Sequence, residues 1–146
     1  MYTGIQMFGL MKGSQDDPEE VFKNIRAAGC SHIEPDIGNM SFPGSENLVW
    51  TPEKTRELLP KIHEAGLKVD SCHLFYLNPL EEADKLKALA KDCGIRKFVV
   101  KSPRELTEEK LQETAMVYMT LADALKEAGA ELLVHNEAVD VSTKIG

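Results

Sequence analysis

Apolar positions along this chain follow two spacings that alternate with each other. Five short runs rich in branched and aromatic residues, at 4–8, 31–34, 67–73, 95–101 and 131–136, have the composition of buried strands. Between them, apolar residues recur three or four positions apart, as Phe22, Ile25 and Ala28 do, which is the spacing of one helix face. The pattern predicts about five strands that alternate with four helices. The longest stretch without either pattern runs from about residue 35 to 49.

Small residues and prolines mark where the predicted helices end and begin. Each helix ends in a small residue and a glycine, and a strand follows at once; the junctions are Ala28-Gly29, Ala65-Gly66, Cys93-Gly94 and Ala128-Gly129. Capping residues precede the helices at Asp17-Pro18, Thr51-Pro52, Asn78-Pro79 and Thr107. Strands joined in this way pair in parallel through right-handed crossovers. The fold class is therefore α/β, and a flavodoxin-like open parallel sheet is one alternative within it.

Composition narrows the classes of protein that fit. The chain has 146 residues, which suits a single domain over 1–146. It carries 17 Lys and Arg against 24 Asp and Glu, a net charge of −7, which argues against a nucleic-acid partner. No apolar run reaches the roughly 18–20 residues of a membrane helix, and no secretory signal is visible. Three cysteines without a paired spacing suggest reduced thiols and a cytoplasmic location.

Polar side chains follow all five predicted strands, at the end where each strand stops. They are Gln6, Glu34, His73, Lys101, and the group His135, Asn136 and Glu137, with Asp36 and Asp140 just beyond two of the strands. Because ligands of parallel βα folds bind beyond the carboxyl ends of the strands, this set predicts one site. Each residue also has an ordinary alternative, such as a hydrogen-bonded core histidine at position 73 or a solvated amine at position 101.

The chemistry available to such a site combines carboxylates with imidazoles. Glu137 and Asp140 offer oxygen ligands to a divalent ion such as Mn²⁺, Mg²⁺, Co²⁺ or Zn²⁺. Glu34, if partly desolvated, would have a pKa suited to proton abstraction, and Glu137 is a second catalytic candidate. Lys101 would hold a phosphate or neutralise an enediolate. The remaining side chains, Gln6, His73, His135 and Asn136, are expected to bind substrate.

Several of these segments resemble the sugar phosphate isomerase/epimerase superfamily, the xylose isomerase-like TIM barrels that share the endonuclease IV-like fold. The matching pieces are 4–8, 17–19, 27–34, 66–73 and 133–137. The resemblance implies a divalent-metal enzyme that isomerises or epimerises a sugar or sugar phosphate by proton transfer. Members often carry His-Asn-His-x-x-Glu at strand five. Here Glu137 replaces the second histidine, and Asp140 falls where the family has its metal-binding glutamate.

Length separates this chain from a complete member of that family. A (β/α)₈ barrel typically needs about 250 residues, so we expect a partial TIM barrel, the N-terminal half. An open sheet cut from a barrel would expose strand edges and an apolar interior. We therefore expect a homo-oligomer, or a partner chain that completes the barrel.

Two other functions fit parts of the pattern. The half-barrel could be a non-catalytic module for ligand binding or assembly. A phosphodiesterase of the endonuclease IV type shares the implied fold, but the negative charge and the four histidines argue against it.

Overall fold

The computed structural model describes residues 3–39, 48–76, 78–103 and 107–135, in which strands and helices alternate. The strands are β1 (Gly4–Gln6), β2 (His32–Glu34), β3 (Asp36–Gly38), β4 (Ser71–Phe75), β5 (Lys97–Lys101) and β6 (Glu131–His135). The helices are α1 (Met11–Asp16), α2 (Pro18–Ala27), α3 (Pro52–Glu64), α4 (Ala83–Cys93) and α5 (Glu108–Lys126), with 3₁₀ turns at Phe8–Leu10 and Pro79–Glu82. The predicted α/β class is confirmed. No helix in these ranges is long and apolar enough to cross a membrane.

All the strand pairs are parallel. β1 pairs with β2, while β3, β4, β5 and β6 pair in that order. β2 and β3 are two pieces of one strand path, interrupted at Pro35, which has no N–H to contribute to a ladder. The backbone of this path also bonds to the β4 side, because the Pro35 carbonyl accepts from His73 N–H at 3.0 Å. The strands thus follow one another in chain order, as in a section of a barrel.

Two local features differ from the sequence-based expectation. The second strand ends at Glu34, but its path continues as β3 from Asp36. Part of the expected connection over 35–49 is therefore strand. A short helix, α1, follows β1 where none was expected. It contains Gly13 and lacks a side-chain cap, so its stability comes from packing: Met11 is fully buried, and Trp50 Nε1 donates to Ser14 Oγ at 3.3 Å.

Three of the four predicted helix starts agree with the structure. At the fourth, Asn78-Pro79, a 3₁₀ turn over Pro79–Glu82 comes first, and α4 begins at Ala83. The Asp17 side chain accepts from Glu20 N–H at 3.1 Å, and the Thr51 hydroxyl oxygen accepts from Lys54 N–H at 3.1 Å. The glycines at the four predicted junctions, Gly29, Gly66, Gly94 and Gly129, all have positive φ angles. Each therefore closes a helix in the conformation that a side chain would strain.

The helices cover one face of the sheet. Alternate strand residues point to this face and are buried in the core: Ile33, Ile37, Cys72, Leu74, Phe98 and Val100. Buried helix residues of the same core include Leu58, Ile62, Leu86, Leu89, Leu121 and Leu125. A fully buried side chain of this size contributes about 1.5–3 kcal/mol, so this layer holds the sheet on the helices.

The opposite face of the sheet is mostly polar among the described residues. It carries Gln6, His32, Glu34, Asp36, Ser71, His73, Lys97, Lys101, Glu131 and His135, together with the apolar Phe75, Val99 and Leu133. The expectation of an apolar open face is therefore wrong. Strand residues alternate between faces, so the polar residues near the strand ends and the polar residues two positions earlier lie on the same side.

Candidate functional site

Strand register brings the polar strand ends together. Gln6 lies opposite Glu34 across β1 and β2, Asp36 lies opposite His73, and Lys101 lies opposite His135. These positions share the open face of the sheet. Gln6, Glu34, Lys101 and His135 are the last residues of their strands, so the side chains gather at one end of the sheet.

Glu34 is held by two neighbours on β4. His73 Nδ1 lies 2.8 Å from Glu34 Oε1, and the Ser71 hydroxyl donates to Oε2. The contact lacks the geometry of a hydrogen bond, so it is a close polar contact between the imidazole and the carboxylate. Glu34 keeps 26% of its side chain exposed and His73 keeps 13%. The pair is therefore partly accessible from the open face.

These contacts determine the charge of Glu34. The His73 contact is the largest influence and lowers the pKa of Glu34; burial opposes it, and the Ser71 hydroxyl lowers the pKa further. Glu34 is thus ionised at neutral pH. In the chain without substrate the pKa of Glu34 is therefore lowered rather than raised, because its neighbours stabilise the charge more than burial opposes it.

Asp36 has the environment that was expected for Glu34. The residue is fully buried, and burial raises its pKa to about 6 against the lowering influence of His73, Gln6 and Lys101. Gln6 Nε2 donates to Asp36 Oδ1 at 2.8 Å, while Gln6 Oε1 accepts from Phe8 N–H at 2.9 Å. Asp36 Oδ2 has no hydrogen-bond partner among the described residues. Asp36 is therefore a buried carboxyl with a raised pKa, and it lies next to Glu34, a carboxyl with a lowered pKa.

The other side of the site is formed by β5 and β6. The rings of His73 and His135 are 5.3 Å apart between centroids and inclined by 62°. Lys101 Nζ lies 4.9 Å from the centre of the Phe75 ring, which is a cation–π contact. Tyr118 on α5 donates its hydroxyl hydrogen to the Lys101 carbonyl at 2.6 Å, which ties the end of β5 to that helix.

A cleft of about 290 Å³ runs beside Gln6, Glu34 and Ser71 on the open face. It extends towards the amino ends of the strands, where Lys97 lines it and where His32 Nε2 lies 3.1 Å from Asp70 Oδ2. Its walls are therefore rich in hydrogen-bond donors and acceptors, which suits a small polar ligand.

Three of the expected site residues, Asn136, Glu137 and Asp140, lie outside the described residues. The predicted metal ligands therefore stay a prediction. Within the described ranges, no three His, Cys, Asp or Glu side chains are arranged to hold a metal ion. The oxygen and nitrogen donors that are present suit Mg²⁺, Mn²⁺ or Zn²⁺ in type, but a complete ligand set would need residues beyond them.

Sequence reasoning did not name Ser71 or Phe75, and it named Asp36 only as a polar residue beyond the second strand, without a role. Ser71 lies two positions before His73 on the same strand face, and Phe75 lies two positions after it. Asp36 follows Pro35, which reads as the end of a strand. In each case the signal was the two-residue period counted from a recognised site residue.

No protein-family model matches this sequence, and no curated protein matches it either. Solved structures do match it. A sugar phosphate isomerase/epimerase from Parabacteroides distasonis matches with a TM-score of 0.72 at 18% identity, over 94% of this chain and 51% of that protein. A xylose isomerase-like TIM barrel protein from Mycobacterium smegmatis, solved in complex with magnesium, has a TM-score of 0.62 at 18% identity, over 91% of this chain and 54% of that protein.

A mannonate dehydratase from Streptococcus suis matches with a TM-score of 0.58 at 14% identity, over 92% of this chain and 53% of that protein. The chain thus spans about half the length of these solved structures. The TM-scores establish the shared fold, whereas a shared fold at such low identity does not assign an activity. The predicted resemblance is confirmed at that level: this chain has the fold of about half of a xylose isomerase-like TIM barrel.

Proposed function

We propose that this chain carries the proton-transfer residues of a divalent-metal-dependent isomerase or epimerase that acts on a sugar or sugar phosphate. One observation carries the proposal. An ionised Glu34, held by His73 and Ser71, sits at the carboxyl end of the strands in a fold shared with a sugar phosphate isomerase/epimerase.

In this proposal Glu34 accepts a proton from the carbon next to the substrate carbonyl. The electrons of the broken C–H bond form an enediolate. In an isomerisation Glu34 returns the proton to the neighbouring carbon, and the hydroxyl proton moves from one enediolate oxygen to the other. In an epimerisation a second acid, for which Glu137 is the candidate, would protonate the same carbon from its other face. A carboxylate with a lowered pKa is a weak base. Substrate binding would therefore have to displace the Ser71 or His73 contact, because loss of either contact raises the basicity of Glu34.

The other polar residues of the open face would bind substrate. A sugar presents many hydroxyl groups, and Gln6, His135 and Lys101 supply an amide, an imidazole and an ammonium near Glu34. Asn136 would add a second amide. A phosphate or the enediolate oxygen is the group that suits Lys101 best.

A divalent ion is a further part of the proposal. It would polarise the substrate carbonyl, and Asp140 and Glu137 are the residues that would hold it. Calorimetry with Mn²⁺ tests the assignment, and Asp140→Ala and Glu137→Ala should each weaken binding strongly. Tight binding that is unchanged in both variants would reject these ligands, and Mg²⁺, Co²⁺ and Zn²⁺ can then be compared on the wild-type chain.

Turnover is tested by hydrogen exchange in D₂O. A panel of ketoses, aldoses and their phosphates is incubated with the chain and Mn²⁺, and ¹H NMR follows loss of the signal from the carbon next to the carbonyl. Exchange with at least one member supports the isomerase or epimerase. If no member of the panel binds and none exchanges its hydrogen, the proposed function is contradicted.

A non-catalytic half-barrel is the second candidate. It is favoured by the cleft beside Gln6, Glu34 and Ser71, whose polar side chains would bind a small polar ligand without any chemical step. This candidate predicts sugar binding, seen as chemical-shift changes at Gln6, Glu34 and Ser71, without any exchange of carbon-bound hydrogen.

We further propose that the chain works as a homo-oligomer or with another chain, in the cytoplasm. The apolar side chains of Met116 and Met119 on α5 are 71% and 68% exposed, and Leu133 and Val134 on the neighbouring β6 are partly exposed as well. Cys30, Cys72 and Cys93 are buried free thiols, which suits a reducing compartment.

A further inference from the structure

Asp36 is buried under conditions that disfavour a charge. The residue has no exposed surface, and its Oδ2 has no hydrogen-bond partner among the described residues. An unpaired buried carboxylate is costly, and such a group generally takes up a proton instead. Glu34, two positions earlier, has an ion-pair contact, a hydroxyl donor and partial exposure to water.

The groups that face Asp36 come from four strands. They are Gln6 on β1, Glu34 on β2, His73 on β4 and Lys101 on β5. Gln6 is the direct contact. Because Phe8 N–H donates to Gln6 Oε1, the amide is oriented with its nitrogen towards Asp36, and the pair is fixed at both ends.

We propose that Asp36 is a proton-holding positioning residue: it fixes the Gln6 amide through Oδ1, and at its unpaired Oδ2 it keeps a proton under conditions in which Glu34 is fully ionised. The raised pKa that burial gives Asp36 agrees with this geometry. The two carboxyls thus have different roles: Glu34 accepts a proton and Asp36 keeps one. Neighbouring acids differ in this way when their surroundings shift their pKa values apart.

Gln6 connects Asp36 with the cleft, because its side chain contacts the one and lines the other. It lines the cleft beside Glu34, so a ligand bound there would lie against its side chain. Ionisation of Asp36 adds a negative charge beside Gln6 and His73. The consequence for a bound sugar rests on the proposed function, whereas the protonation of Asp36 does not.

Carboxyl NMR tests the proposal without any ligand. In a chain labelled with ¹³C-aspartate, the Asp36 carboxyl signal, assigned through its backbone correlations, should titrate near pH 6 rather than near the ordinary 3.8. The side-chain NH₂ signals of Gln6 should move with the same midpoint. In Asp36→Asn, whose amide oxygen still accepts from Gln6, these signals should remain but stay constant over pH 5–7.

Asp92→Asn is the matched control, because Asp92 is exposed and pairs with Arg56 at 3.0 Å on the far side of the helices. This variant should leave the Gln6 titration unchanged. An Asp36 midpoint near 4 in the wild-type chain would overturn the proposal, and so would Gln6 signals that titrate identically in Asp36→Asn. The wild-type titration decides the question even if the Asn variant fails to fold. Failure of the sugar-exchange assay would leave this result untouched.

Discussion

Glu34 and Asp36 lie two residues apart on the same face of one strand path, and their surroundings shift their pKa values in opposite directions. Pro35 between them contributes its carbonyl to His73 N–H, so the path stays bonded to β4 on both sides of the interruption. The spacing places both carboxyls next to His73. His73 and the Ser71 hydroxyl lower the pKa of Glu34, whereas burial is the largest influence on Asp36 and raises its pKa.

The Ser71 hydroxyl should stabilise the ionised form of Glu34. Ser71→Ala removes that donor, so the pKa of Glu34 is expected to rise towards its ordinary value, because burial still opposes the charge and only the His73 contact remains to counter it. The measurement is the ¹³C carboxyl titration of Glu34. Ser71→Thr keeps a hydroxyl on the strand and should behave like the wild type. An unchanged midpoint in the Ala variant would show that the hydroxyl does not hold the charge.

Asp36 should make stability fall as pH rises. Its pKa is raised from 3.8 to about 6 in the folded chain, so the folded state binds the proton more tightly than the unfolded state. The stabilisation this gives is complete below about pH 4 and is lost as pH rises through about 6. Asp36→Asn lacks the effect. The free energy of unfolding of Asp36→Asn minus that of wild type should therefore increase, by on the order of 2 kcal/mol, as pH rises from 4 to 7.5.

Urea denaturation of both proteins at several pH values measures this difference. A constant offset between the two chains is immaterial, because the pH dependence alone carries the prediction. A difference that does not change over this range would show that Asp36 ionises as easily in the folded chain as in the unfolded one.

The apolar surface of α5 and β6 should mediate self-association. Static light scattering at micromolar concentration is expected to give a homo-oligomer, and replacement of both Met116 and Met119 by Gln should shift it towards the monomer. Glu113→Gln, an exposed change on the same helix, is the control. A well-folded wild-type monomer would contradict the prediction of self-association.

Local signals in the sequence were enough for most of the fold. Asp17 and Thr51 cap their helices with their own side chains, and the junction glycines adopt positive φ angles, so these boundaries depend on neighbouring residues only. β3 was missed because its partners are distant in the chain. Gly38 N–H donates to the Trp50 carbonyl at 2.9 Å, and the other side of the strand pairs with β4.

The site was predictable in position and less so in chemistry. That Gln6, Glu34, His73, Lys101 and His135 lie near one end of the sheet follows from parallel pairing. The charge of Glu34 depends on two contacts across strands, and the state of Asp36 depends on complete burial beside Gln6. Neither arrangement has a signature in the sequence, because both arise from register and packing.

The most direct measurement of the proposed role of Glu34 is the rate of hydrogen exchange, in D₂O, at the carbon next to the carbonyl of the best-binding sugar. Wild type is compared with Glu34→Gln and with Glu57→Gln, whose exposed carboxylate pairs with Lys54 on α3. We expect exchange by wild type and Glu57→Gln, and a loss of roughly 10²–10⁴-fold in Glu34→Gln, the range for removal of a general base. Equal exchange rates in a folded Glu34→Gln and in wild type would contradict the assignment of Glu34 as the proton acceptor.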